Sequence, residues 1–163
     1  MQHFTRRETV ILTRTSSARL AYLARTGIVV PTAGSGDDAR QVYYTWQQIL
    51  ELRAIRHLRR QVSLQMIRKI LAFLEGTGGD RCLHNKHLII EDGEVHWVQS
   101  QPNRAPQVVQ VAAKADRHVG QLKLTTLPSL VNLADEVWET ARCSKVIDFE
   151  SFRQRVVPFR PRS

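Results

Sequence analysis

Apolar residues in the first third of the chain come in short bursts at helical spacing, separated by polar turns. Thr5 followed by Glu8 has the form of a capping box, in which each side chain satisfies the other's free backbone N–H. It predicts a helix over about 6–13, with Val10, Ile11 and Leu12 on the buried side. Arg14-Thr15 reads as a turn. Ser16 is a good N-cap for a second helix over about 17–25, whose Leu20, Leu23 and Ala24 follow the i, i+3, i+4 spacing of a buried face. Gly27 reads as the C′ stop, with Ile28, Val29 and Val30 as an extended apolar exit closed by Pro31.

The pattern then changes. TAGSGDDAR at 32–40 is a loop by composition, and Gln41 to Tyr44 suits a short strand. Paired with Ile28–Val30, that strand would make a two-stranded wing with the loop at its tip. Thr45, with Gln48 three residues on, caps a helix over about 46–61. Ile49, Leu52, Ile55, Leu58 and Val62 form its drifting apolar stripe, and Arg53, Arg56 and Arg60 occupy a different arc. Ser63 caps a further helix over about 64–74, which GTGGD at 76–80 ends.

The second half has the alternation of strands. HLIIEDGEVHWV at 87–98 is a hairpin around Asp92-Gly93. A polar, proline-containing linker follows at 99–107. Val108–Ala112 and Gln121–Leu124 suit strands, and Leu127–Arg142, with Pro128 at its start, suits one long helix. The last 18 residues mix Phe149, Phe152 and Phe159 with arginines, and read either as a disordered end or as a docking arm. The fold class is α+β: an N-terminal winged helix-turn-helix of four helices and a small hairpin, then a small α+β domain with a β-hairpin and one long helix. The expected divisions are 1–75 for the first domain, 81–145 for a dimerisation or partner-binding domain, and 146–163 for a basic-aromatic tail.

Charge sharpens this picture. The 163 residues are 42% hydrophobic, enough for a core, and carry a net charge of +9. Residues 1–74 hold 12 Lys and Arg against 4 Asp and Glu; residues 75–152 hold 8 against 11; residues 153–163 hold 4 against none. A charge serving only solubility would not segregate in this way, and the basic N-terminal part points to a polyanion. No apolar run approaches the ~20 residues needed to span a bilayer. MQHFTRRE lacks a signal-peptide pattern, so the expected location is cytoplasmic. A module binding RNA or an anionic membrane fits the charge but not the ordered helices and wing.

Catalytic chemistry finds little support. There is no nucleophile elbow, P-loop or dinucleotide fingerprint. The glycines at 34–36 and 76–79 lack a strand-turn-helix setting, and Asp37/Asp38 sit in a loop. No enzyme activity and no cofactor are expected. Cys82 and Cys143 read as two free thiols. His84, His87 and His96, near Asp92, are the best metal candidates, but nothing in their spacing makes three or four ligands converge, and no metal is expected.

With these residues in place, 4–74 resembles the winged-helix DNA-binding domain of the MerR family. Phe4-Thr5 stands where that family has an aromatic and a helix cap. Ser16, Leu20, Tyr22, Gly27 and Pro31 fall at its positions without a gap, and Tyr44-Thr45 follows its wing. Ile49, Leu52, Ile55, Leu58, Ser63-Leu64 and Ile67 match its second helical pair. The resemblance implies a transcriptional regulator, a homodimer on double-stranded DNA, with the helix after Ser16 in the major groove. It places Ser17 and Arg19 near base edges, counts Ser16 among the DNA-binding residues, and sets Arg14 and Tyr22 on the backbone, although Tyr22 also reads as a core aromatic. Arg40 would act in the wing, and Arg53, Arg56 and Arg60 along the flanking helix. Three departures stand out. Ala18 and Ala21 replace usual basic residues, and Arg40-Gln41-Val42 replaces the wing's usual Gly-Tyr-Arg. GTGGD also interrupts the long dimerisation helix of the family.

The hairpin and Gly120-Gln121 resemble, faintly, the second domain of MerR-like antitoxins encoded beside ribonuclease-type toxins. On that alternative the C-terminal half, through Phe149, Phe152 and Phe159, neutralises a toxin, and DNA binding serves autoregulation.

Overall fold

The caps set the helices where local chemistry demands them. In the computed structural model, which describes residues 3–100, 102–112 and 124–156, Thr5 is extended and begins α1 (Arg6–Thr13) with a complete capping box. Its N–H donates to Glu8 Oε2 at 2.8 Å, and Glu8 N–H donates to Thr5 Oγ1 at 3.3 Å. Arg14 turns the chain in the left-handed conformation, φ 52°. Ser16 then caps α2 (Ser17–Arg25) by accepting from Arg19 N–H at 3.2 Å. Gly27, at φ 72°, ends α2 in a Schellman motif: Ile28 N–H reaches Leu23 O and Gly27 N–H reaches Ala24 O.

That motif moves the wing. The first wing strand does not lie at Ile28–Val30, because the N–H groups of Ile28 and Val29 both donate back to Leu23 O. Instead β2 (Thr32–Ala33) pairs antiparallel with β3 (Val42–Thr45). A strand absent from the sequence reading, β1 (His3–Thr5), pairs with the other edge of β3, so the sheet order is β1-β3-β2. Thr45 and Gln48 form the expected reciprocal bonds at the start of α3 (Trp46–Leu58). α3 stops short of residue 61. Residues 59–62 turn, with Arg59 Nη1 donating to Val62 O at 3.2 Å, and Ser63 caps α4 (Leu64–Gly76).

The later elements are β4 (His87–Glu91), β5 (Glu94–Gln99), β6 (Gln107–Ala112), β7 (Leu124–Thr126), α5 (Leu130–Cys143) and α6 (Phe149–Arg155). The four strands form an antiparallel sheet in the order β6-β5-β4-β7. Asp92 and Gly93 both have positive φ, 49° and 81°, which is the two-residue turn whose twist suits a tight hairpin. Residues 121–123 of the expected strand lie outside the described residues. The long helix begins after Pro128, with Ser129 accepting from Asn132 N–H at 3.2 Å.

The chain divides into two compact units. One comprises residues up to Arg53 together with those from Ala134 onward; the other is Ala54–Leu133. In the second unit, α4 lies against β6 and turns Ile67, Ile70, Leu71 and Leu74 inward, while Leu88, Ile90, Val95 and Val111 are the buried strand residues.

In the first unit, the C-terminal segment is part of the core. Phe152 is 0% exposed and meets Phe4, Trp46, Trp138 and Phe149 at ring-centroid distances of 5.1–6.1 Å. Tilted and edge-on pairs of this kind add to the burial of the rings themselves. Beside them Arg155 forms a fork on Glu8, Nη1 to Oε2 at 3.1 Å and Nη2 to Oε1 at 2.6 Å. Burial pushes the Glu8 carboxyl up, but the Arg155 and Thr5 hydrogen bonds outweigh it and hold the group below its ordinary value of 4.5.

Two outcomes are expected. Phe152→Ala leaves a cavity among four aromatic rings and lowers stability by about 3–5 kcal/mol, read from urea unfolding. Because the folded Glu8 pKa is depressed, its contribution is present above 4.5 and is lost as pH falls through the lower folded-state value. Wild type should therefore lose stability on the acid side of 4.5 more steeply than Glu8→Gln, in denaturation curves taken at a series of pH values.

Candidate nucleic-acid interface

α2 has a buried back and an open front. Leu20 and Leu23 are buried, while Ser17, Ala18, Ala21 and Arg25 are exposed. At 3.6 residues per turn, Ser17, Ala21 and Arg25 form one row along the helix, with Ala18 beside it. Arg19 and Tyr22 are half-buried and border this front. The Arg25 guanidinium lies 5.8 Å from the centre of the Tyr22 ring. The front is thus small in the middle, which lets a helix backbone approach a groove floor, and polar or basic at its ends.

The start of α2 is tied to the start of α1, since Arg6 Nη2 donates to Ser17 O at 3.0 Å. Thr9 and Thr13 are buried in α1 with their hydroxyls returned to the carbonyls of Thr5 and Thr9. Arg6, Arg7 and Arg14 are all exposed. Arg6 and Arg7 sit in the first turn of α1, at the positive end of the helix dipole, where cations are disfavoured. Of the residues assigned from sequence, Arg14, Ser16 and Ser17 are exposed around the turn into α2, and Arg19 and Tyr22 flank them. Arg25, Arg6 and Arg7, outside the assigned set, are exposed in the same region. Projecting residues 17–25 on a helix would have found Arg25, one turn beyond Ala21.

The wing is built around Gly34, where a Cβ would come within 2.3 Å of Asp38 O. The Tyr43 hydroxyl closes the loop onto Gln41 Oε1 at 3.2 Å and Asp38 Oδ2 at 3.4 Å. Arg40 is exposed, but so are Asp37 and Asp38, so the tip carries no net positive charge.

Two groups of expected site residues lie elsewhere. Arg53 is only 4% exposed. Its Nη2 donates to Glu136 O at 3.2 Å and Thr140 Oγ1 at 2.8 Å, and its Nε stands 3.6 Å from Glu136 Oε2. One turn of α5 thus receives this guanidinium, and it is withheld from a phosphate. Arg56 is half-buried on α3, and Arg60 is exposed in the turn past the helix end, so the three arginines do not share one exposed row. The aromatic tail also differs from the expected docking arm. Phe149 stacks on Phe152, 6.1 Å between centroids, and meets Trp138 edge-on, while Phe152 is fully buried in its own chain. Phe159 lies outside the described residues.

Arg53→Ala should accordingly lower stability by about 1–3 kcal/mol through loss of its charged hydrogen bonds to α5. The dependence of DNA affinity on salt should keep its wild-type slope, which a titration at several salt concentrations checks.

No helix among the described residues is long and apolar enough to cross a membrane. No curated protein matches the chain. Residues 4–74 match the family model described as MerR HTH family regulatory protein. That span begins at the aromatic and cap of β1 and ends in the last turns of α4, and it contains the tight turn, the wing and both helical pairs. Residues 4–74 are a helix-turn-helix DNA-binding segment of the MerR family.

Proposed function

We propose that the chain is a sequence-specific transcription regulator that reads the major groove of double-stranded DNA with α2. The observation that carries this reading is the front of α2: a narrow, exposed row with a fully buried back, placed after a tight turn and bordered by arginines. Ser17 and Arg19, in its first turn, are the base-edge readers. Arg14, Tyr22 and Arg25 hold phosphates, which fixes register and carries no sequence information. Arg40 contributes from the wing, and Arg56 and Arg60 from α3 and the turn after it. The segregated charge supports the same partner, since residues 1–74 hold most of the basic excess.

We assign residues 1–75 to DNA reading and the 81–145 region to self-association or a partner, so that two copies bind a palindromic site. The antitoxin alternative would need an exposed apolar arm. Phe152 is buried in its own chain, which argues against such an arm.

Selection of bound duplexes from a random pool, followed by sizing of the complex, tests the proposal. It should enrich a palindrome with half-sites about one or more helical turns apart, roughly 10–10.5 bp each, and two chains per duplex. A pool with no enriched sequence would sink it. On the enriched site, Arg19→Ala should cost about 1–3 kcal/mol of discrimination at one base position. Arg25→Ala should weaken all sequences alike and reduce the salt slope by about one.

A further inference from the structure

The Arg155 guanidinium spans three elements. Its Nε donates to Ser151 O in α6 at 3.2 Å, its Nη1 to His3 O in β1 at 3.1 Å, and both terminal nitrogens to the Glu8 carboxylate in α1. Its Cζ stands 4.7 Å from the centre of the Phe4 ring. The side chain is 17% exposed and its partner carboxylate 18%, so this cation is spent inside the protein.

The contacts with His3 and Glu8 lead to the proposed reading surface by short paths. β1 is hydrogen-bonded along β3, which carries the wing strand β2 on its other edge. α1 begins at Thr5 and Glu8, and its Arg6 holds Ser17 O at the entry of α2. Glu8 is, moreover, the one acid in residues 3–31.

We propose that Arg155, from the C-terminal helix, is a positioning residue for DNA reading, holding β1 and α1 in register. The inference rests on the DNA-reading function argued above. It means that sequence discrimination depends on a residue outside the span that matches the family.

The experiment uses the full chain, the duplex selected from the random pool, and a random-sequence duplex as control. A wild-type chain that enriches no sequence rejects the DNA-reading function itself, before any variant is made. With wild type active, Arg155→Gln should lose about tenfold in affinity for the selected duplex, within the usual range of coupling between separated sites. Binding to random DNA and its salt slope should stay unchanged. Arg155→Lys, which keeps the charge and loses the fork, should recover part of the loss and serves as the folded comparison if Arg155→Gln melts. Glu8→Gln added to Arg155→Gln should cost less than the two single changes together, because both changes break the same fork.

Two results would overturn the proposal. One is wild-type affinity for the selected duplex in an Arg155→Gln or Arg155→Lys chain with a wild-type circular dichroism spectrum and cooperative melt. The other is an equal loss on both duplexes with a salt slope lower by about one, which would make Arg155 a phosphate contact.

Discussion

Glu8 is the point on which the N-terminal unit turns. Its carboxylate accepts from Thr5 N–H, Thr5 Oγ1 and both terminal nitrogens of Arg155, so it closes the first turn of α1 and joins that turn to the C-terminal helix. A largely buried carboxylate is stable only with such partners, because burial alone penalises its charge. The aromatic rings around Phe152 do the apolar part of the same task, gathering β1, the start of α3, α5 and α6. The consequence is an order of dependence. α2 is held by α1 through Arg6, α1 by its cap, and the cap by Arg155. The family segment at 4–74 therefore does not account by itself for the packing of its own first helix.

The features legible in the sequence were those whose partners lie within four residues. Thr5 with Glu8, Ser16 with Arg19, Thr45 with Gln48 and Ser63 with Met66 each bond across three positions, and each placed a helix start correctly. The Asp92-Gly93 hairpin is local in the same sense. What escaped were contacts between distant residues. Arg53 looked like part of a basic row with Arg56 and Arg60, because nothing near it reveals that α5, more than 80 positions on, offers a carbonyl and a hydroxyl. Phe152 looked like an exposed anchor, because Phe4 and Trp46 precede it by more than a hundred positions. The wing strand fell outside the apolar run at Ile28–Val30 for a different reason. The Schellman motif at Gly27 takes the N–H groups of Ile28 and Val29, and hydrophobicity carries no trace of that demand.

The candidate interface shows the same contrast. Arg14, Ser16 and Ser17 follow from the turn and cap, so their exposure was readable. Whether Arg19 or Arg25 faces outward depends on which side of α2 is buried. Leu20 and Leu23 decide that in favour of Arg25, with Arg19 at the border. Ala18 and Ala21, which depart from the family pattern, then acquire a physical meaning. They make the middle of the exposed face small, so on the proposed reading discrimination would fall to side chains at its ends and to how closely the helix axis can approach the base pairs.

Formal charge overstates such an interface, and this chain shows by what mechanism. Arg53 is among the 12 basic residues of the N-terminal 74, yet its guanidinium is committed to α5. Arg155 belongs to the basic tail, yet it is committed to Glu8. Asp37 and Asp38 set the wing tip against a polyanion, leaving Arg40 to offset them in part. On the proposed reading the charge offered to phosphates is carried mainly by exposed arginines around α1 and α2. Counterion release scales with phosphates neutralised, and not with net charge. On the proposed reading affinity for DNA is set by the helix pair, and α1 of that pair is tied to the C-terminal helix by a salt bridge whose two members lie 147 positions apart.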